Sequence, residues 1–228
     1  MLGILALETS FPRIAGDVGC AATFAFPVRI AVVKGASVDA VVHRARELLL
    51  SDFIDAGRML AAHGCLGIVT TCGFLARWQR ELADAIPVPV MTSALLTAPL
   101  VERTLPRGRR VGIVTYSDAD LTRDVLAGVG LDAATPVAGV GKDSYFARTI
   151  RDGATTLDTA RMAADTVAAA RVLVDAHSDV GAIVLECANM PPYARAVRAA
   201  TGLAVHDAAQ AFAWFHAGLA GHGPADLW

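Results

Sequence analysis

Short apolar runs rich in Val, Ile and Leu recur along the chain, and most are followed by a stretch with helical spacing. The runs predict strands at 2–7, 65–71, 86–91, 110–115, 135–140, 181–186 and 203–206. The intervening stretches predict helices at 38–62, 74–84, 94–104, 118–128, 155–177, 191–200 and 208–219. The strands are continuously apolar rather than alternating, the mark of strands buried on both faces. Strands alternating with helices predict an α/β fold with parallel sheets flanked by helices. Local signals agree. Ser37 and Asp118 suit helix N-caps, Pro191 and Pro192 suit a first turn, and Gly130 and Gly202 suit helix ends.

The run Gly67-Ile-Val-Thr70 returns as Gly112-Ile-Val-Thr115 and, more loosely, as Ala182-Ile-Val-Leu185. Either buried parallel strands simply resemble one another, or the chain is built as two similar lobes. In the second case residues 1–98 plus 206–228 form one α/β lobe and residues 99–205 the other, with a cleft between them. Segment 8–36 breaks the pattern, with Pro12, Gly16 and Gly19 and no clear period. It is long for a strand-to-helix connection, where roughly 2–6 residues are usual. It reads equally as a lid or binding loop and as a surface hairpin at a subunit contact.

Composition narrows the field. Hydrophobic residues make up 54% of the 228 and charged residues 18%, against the roughly 25% charged of typical globular chains. Much surface is therefore buried, in the core or against another subunit. A net charge of −2 supplies no general attraction to nucleic acid or to an anionic membrane. No run reaches the roughly 20 apolar residues of a membrane-crossing helix. The apolar opening Leu2–Leu7 has no basic leader and meets Glu8 at once, so it reads as a strand rather than a signal peptide, and a cytoplasmic location is expected. Cys20, Cys65, Cys72 and Cys187 form no CxxC pair, so neither a disulfide framework nor a metal site is expected. Nucleotide-loop spacings and the GxSxG elbow are missing. Gly139-Val-Gly141-Lys142 is only a superficial phosphate loop.

Candidate chemistry centres on two of the cysteines. Cys72 closes Leu66-Gly-Ile-Val-Thr-Thr-Cys72, and Cys187 closes Gly181-Ala-Ile-Val-Leu-Glu-Cys187. Each stands where a buried parallel strand ends, the place at which open α/β sheets bind ligands. Each precedes a predicted helix, whose N-terminus favours thiolate and attracts a carboxylate. One thiolate can remove a proton from a carbon next to a carboxylate while a thiol opposite returns one, inverting that carbon without a cofactor. Thr71, Gly73, Thr115 and the Ala188-Asn189 backbone lie at matching strand ends, where they can stabilise the carbanion. Arg13 reads either as a bidentate clamp for a substrate carboxylate or as a solvated loop residue. Cys65 reads as a core residue, Cys20 carries no signal, and His206, beside Asp207 at a strand end, is a weaker candidate.

At these residues the chain resembles the aspartate/glutamate/hydantoin racemase superfamily. Thr71-Cys72-Gly73 resembles the first catalytic cysteine motif and Glu186-Cys187-Ala188-Asn189 the second. Gly3-Ile-Leu-Ala-Leu-Glu8-Thr9 resembles the opening strand, after which the family places a polar pair at the substrate. The resemblance implies two similar α/β lobes, an active site in the interlobe cleft, no pyridoxal phosphate and often a dimer or larger homo-oligomer. It implies Cys72 and Cys187 as catalytic bases, Glu8 and Thr9 at the substrate, and a small carboxylate or hydantoin as that substrate. Glutamate racemases usually follow the first cysteine with Asn-Thr and the second with Thr-His. Gly73-Phe74 and Ala188-Asn189 stand here instead, and Phe74 makes the pocket more apolar. The expected activity is therefore racemisation or epimerisation. Maleate-type cis–trans isomerisation, arylmalonate-type decarboxylation and a non-catalytic ligand-binding relative are the alternatives.

Overall fold

The computed structural model describes residues 1–44 and 46–220. Ala45, within the predicted helix 38–62, and residues 221–228, the end of the predicted first lobe, lie outside the described residues. Among the described residues eight parallel strands form two sheets. β1 (Leu2–Leu7), β2 (Val28–Val33), β3 (Ile68–Thr70) and β4 (Val90–Met91) stand in the order β2-β1-β3-β4. β5 (Arg110–Thr115), β6 (Val137–Gly139), β7 (Val180–Leu185) and β8 (Ala204–His206) stand in the order β6-β5-β7-β8. The same order appears twice, so the recurrence seen in the sequence extends to the topology. In each sheet the chain reverses direction of growth between its first and third strands. The gap at that reversal is where parallel sheets open to ligands.

Helices cover the sheets. α1 (Leu49–Ala62) packs on β1 and β2, and α2 (Gln79–Ala85) packs on β4. α3 (Ala98–Arg103) already packs on β5, so the chain changes sheets there. α4 (Arg123–Gly128) rests on the turn at 73–78, and α5 (Tyr145–Asp152) packs on α6 (Thr159–Ala176). α6 covers β5 and β6 and meets α7 (Ala194–Thr201). α8 (Ala208–Ala220) returns to the first sheet: Phe215 and Leu219 close over Gly67, and His216 stacks on Phe26 with ring centroids 3.6 Å apart. No helix among the described residues is long and apolar enough to cross a membrane.

Several expectations change. Segment 8–36 contains β2, which pairs with β1 along its whole length. It was illegible as a strand because it is an edge: Val32 is 59% exposed and Arg29 faces solvent, so no buried pattern marks it. The predicted helix 38–62 is two elements, a wide turn of i→i+5 bonding at Asp39–His43 and then α1. Ser37 does cap that turn, accepting from the Ala40 N–H at 3.2 Å. Asp118 caps no helix; α4 starts only after Thr122. The strand predicted at 86–91 shrinks to two residues because Pro87 and Pro89 have no N–H for a ladder. α5 was not anticipated. It is delimited by Ser144, whose hydroxyl accepts from the Ala147 N–H, and by Gly153 at φ 63°, a left-handed stop.

The first sheet's core can be probed at Phe53 of α1. Its side chain is fully buried, with its ring 6.0 Å from that of Trp78. Phe53→Ala should cost about 3–5 kcal/mol, read as an earlier urea-unfolding midpoint followed by tryptophan fluorescence.

Candidate functional site

The carboxyl ends of β1, β3, β5 and β7, the central strands of the two sheets, all point into the same gap. A narrow cavity of about 30 Å³ occupies it, lined from both sheets. Leu7, Thr9, Phe11 and Arg13 come from the end of β1 and the loop after it. Thr71, Cys72, Gly73 and Phe74 come from the end of β3. Tyr116 follows β5, and Glu186, Cys187 and Asn189 follow β7. Val38 and Val42 close the cavity from the turn at Asp39–His43, and Ile150 closes it from α5. About 30 Å³ is room for one or two waters.

The two cysteines hold equivalent places. Each is the second residue after the third strand of its sheet, β3 for Cys72 and β7 for Cys187. Thr70 fixes the first turn, its hydroxyl donating to the Thr92 carbonyl at 2.6 Å and accepting from the Cys72 N–H at 3.3 Å. Thr71 Oγ1 accepts from the Leu7 N–H at 3.1 Å and ties the end of β1 to that turn. On the other side, the Cys187 thiol donates to Asn189 Oδ1 at 3.5 Å. Asn189 Nδ2 donates in turn to Asp17 Oδ2 at 2.7 Å. Asp17 also accepts from Arg13 Nη1 at 3.0 Å and from the Gly19 N–H at 2.7 Å, and Arg13 Nη2 donates to Thr9 Oγ1 at 2.9 Å. The Val18 N–H reaches the Ala188 carbonyl at 3.1 Å. The loop after β1 is thereby bonded to the second cysteine motif, so segment 8–36 is part of the cavity wall rather than a free hairpin.

Burial sets the protonation states. It pushes the Cys72 thiol up to about 12, and the adjacent Glu186 carboxyl adds to the rise. The N–H groups of Phe74 and Leu75 reach the sulfur and pull the other way, but they are outweighed. Cys187 is raised well above the ordinary thiol value by burial first and Glu186 second, against the Asn189 N–H. The expected thiolates at helix N-termini are therefore corrected: both thiols rest protonated. The regular helices start only at Gln79 and Ala194, behind short 3-10 turns, and desolvation exceeds what a few N–H groups return. Glu186 is 1% exposed, and burial pushes its carboxyl up to about 7 even though Thr115 and the Tyr116 N–H both favour the ionised form.

Of the residues singled out from the sequence, Cys72, Cys187, Thr9, Arg13, Thr71, Gly73 and Asn189 line the cavity. Three do not. Glu8 is exposed beside the Asp39–His43 turn, its Oε2 accepting from the Gly35 N–H at 2.9 Å. Thr115 lies behind the wall and donates to Glu186 Oε2 at 2.7 Å, and the Ala188 carbonyl is occupied by Val18. Arg13 is neither a solvated residue nor a free fork, because Asp17 and Thr9 already engage it. His206 lines a different cavity, with Trp214 and Phe215. Cys65 is buried just past the C-terminal end of α1, as expected of a core residue. Sequence reasoning missed Asp17 and Glu186. Glu186 carried a signal, a charged residue ending an apolar strand; Asp17 carried none, since its partner Asn189 is 172 residues away. Among the described residues no three His, Cys, Asp or Glu side chains converge to hold a metal ion.

Known proteins share this architecture. Dimethylsulfoniopropionate lyase of Durusdinium sp. clade D is 28% identical over 214 residues, covering 91% of this chain and 71% of the relative. Dimethylsulfoniopropionate lyase 7 of Emiliania huxleyi (strain CCMP1516) is 28% identical over 237 residues, covering 91% of this chain but only 63% of the relative. Among solved structures, a glycine-to-cysteine variant of arylmalonate decarboxylase superposes with a TM-score of 0.66 at 20% identity, covering 97% of this chain and 94% of that one. Allantoin racemase from Pseudomonas fluorescens gives 0.59 at 15% identity, covering 96% and 91%. A glutamate racemase isoform from Bacillus anthracis gives 0.58 at 14%, covering 95% and 80%. At such identities these structures establish a shared fold. The sequence model described as Asp/Glu/Hydantoin racemase matches residues 37–215, a span that holds both cysteine motifs and seven of the eight helices and most of α8. With paired sheets of one order and a cysteine after the third strand of each, this chain belongs to the Asp/Glu/Hydantoin racemase family.

Proposed function

We propose that this protein moves a proton at the carbon α to a carboxylate or hydantoin carbonyl, with Cys72 and Cys187 as the acid–base pair, and so racemises or epimerises its substrate without a cofactor. The observation that carries this reading is the convergence of two thiols, from equivalent strand ends, on one small cavity. One thiol first gives its proton to solvent; the resulting thiolate takes the proton from the substrate carbon, and the opposite thiol supplies another to the far face and is left as the thiolate. The two sulfurs exchange roles when the reaction runs backwards. A buried thiol is a poor base while protonated, but once ionised in a dry cavity its sulfur is unsolvated and reactive. Thr71, Gly73 and Asn189 line the space beside the reacting carbon. Arg13 supplies positive charge there as part of the Asp17 network. The reading takes residues 1–98 with 206–228 as one lobe and 99–205 as the other, the thiols meeting where the lobes close.

One observation favours a second outcome of the same first step. The curated relatives that match 91% of this chain are named as lyases. If the substrate carries a leaving group on the β carbon, the carbanion formed by proton removal expels it before a second proton arrives. One thiolate then suffices as the base, and the product is an unsaturated acid.

Incubation in D₂O with single-enantiomer amino acids, 5-substituted hydantoins and dimethylsulfoniopropionate separates the outcomes. Racemisation with uptake of deuterium at the α carbon is expected, and release of dimethyl sulfide with acrylate would replace it by elimination. Cys72→Ala and Cys187→Ala should each lower racemisation by about 10²-fold or more. Full activity in both variants would sink the two-thiol mechanism.

The Asp17 network makes a separate prediction. Asp17→Ala leaves the Arg13 charge and the Asn189 amide without their partner in a buried setting. The loss should be about 3 kcal/mol of stability, together with faster proteolysis within residues 8–27 than in the wild type.

A further inference from the structure

Between the two cysteine motifs lies a group that the thiol mechanism does not use. The Glu186 side chain is buried, yet only one of its oxygens is satisfied. Oε2 accepts the Thr115 hydroxyl at 2.7 Å, while Oε1 has no hydrogen-bond partner. Oε1 sits directly over Gly73, so close that a Cβ there would collide with it and with the Glu186 carbonyl oxygen. The absence of a side chain at Gly73 thus admits the carboxyl to the cavity wall, one residue from each sulfur. An unpaired buried polar atom costs about 1–3 kcal/mol, and a polar group of a bound ligand would satisfy it. Resting on the reading that the cavity takes a carboxylate, we propose that Glu186 binds that carboxylate as a neutral acid, donating a hydrogen bond from Oε1 to the oxygen that gains charge when the α-proton leaves.

The surroundings support the neutral form. Of the cations near the cavity, Arg13 is held by Asp17, and Arg77 acts on Cys72 from the 73–78 turn. The titratable groups beside Glu186 are Cys72 after β3 and Cys187, its neighbour in the chain; Tyr116 after β5 supplies its N–H, and Asp17 from the loop after β1 and Tyr193 act on Cys187. Each thiol is raised further by Glu186 in its charged state, so a neutral Glu186 also eases formation of the thiolate. A carboxylic acid kept protonated near neutrality, donating to a developing oxyanion, is an established catalytic device. His43 stands behind Tyr116, its ring centroid 6.0 Å from the tyrosine ring and its Nδ1 bonded to Asp120. The Glu186→Gln variant separates any contribution of that histidine from the one proposed.

The test is binding, measured by calorimetry on the full chain with propionate as probe at pH 6, 7, 8 and 9. Propionate should bind at pH 6. Its apparent Kd should climb above about 7, the pH where burial places the Glu186 carboxyl, approaching tenfold per unit as the neutral fraction falls. Glu186→Gln keeps a donor but cannot ionise, so its affinity should be flat across the range. Thr115→Val removes a donor that favours the ionised form, so it should move the wild-type midpoint to higher pH. That second variant carries the test if Glu186→Gln fails to fold.

Stability supplies an independent readout. The carboxyl is raised in the folded state, so its contribution is complete below about 4.5 and is lost as pH rises through about 7. The melting temperature of the wild type should therefore fall relative to Glu186→Gln between pH 5 and 8. No propionate binding at pH 6, a flat wild-type profile, or the same slope in Glu186→Gln would each overturn the proposal. So would affinity for ethylammonium that rises over this range, which would make Glu186 an ionised acceptor for an amine. Turnover plays no part in these readouts. A protein that binds propionate in this way yet never exchanges an α-hydrogen refutes the proton-transfer reading and leaves Glu186 as a neutral carboxylate-binding group.

Discussion

The carboxylate of Asp17 is 4% exposed and accepts from Arg13, Gly19 and Asn189. Through Asn189 it reaches the Cys187 thiol, and through Arg13 it reaches Thr9 at the end of β1. Without that anion the loop after β1 would bring a half-buried guanidinium and no counter-charge to the cavity. Removing one member of such a pair costs far more than its exposed equivalent, because the charge left behind cannot return to water. The shape of the cavity, the orientation of the second thiol and the seclusion of the site all rest on this cluster. Its members come from opposite ends of the chain.

Seclusion then governs the chemistry. The packing that makes the cavity narrow also strips water from the two thiols and from Glu186. Desolvation disfavours every charged form, so it acts on acids of both kinds in one direction. The thiols are pushed to ionise far above neutral pH, whereas the carboxyl, starting lower, arrives at about 7. One environment thus gives two protonation behaviours: thiols that rest protonated, and a carboxyl poised to change state near physiological pH. A more open site would leave the thiols easier to ionise and Glu186 permanently charged.

The fold places these groups by repetition. Each sheet has the same strand order, and each offers a cysteine at the same step past its third strand. Two copies of one ligand-binding switch point, facing each other, produce a site with a thiol on either side. The copies are not equivalent in detail. Thr70 and Thr71 brace the first cysteine through short local bonds. The second is braced across the lobes by Asn189 and Asp17. Glu186 has no counterpart in the first motif, where Thr71 stands at the same step before its cysteine.

The apolar runs of β1, β3, β5 and β7 were legible because a strand buried on both faces must be apolar throughout, whatever surrounds it. The same reasoning located Cys72 and Cys187, since a cysteine at the end of such a run has to lie at the sheet's carboxyl edge. Edge strand β2, helix α5 and the split of the 38–62 helix were not legible. Their residues are half exposed or held by bonds to distant partners, and local pattern carries no record of either. What the sequence by itself determined was the α/β class, the family resemblance and the pair of thiols. Tertiary structure alone decided that those thiols rest protonated, that Glu8 faces solvent, that Arg13 is already engaged and that Asp17 and Glu186 belong to the site. The reason is physical: strand character follows from neighbours in the chain, but burial, and with it every charge state in the cavity, follows from neighbours in space.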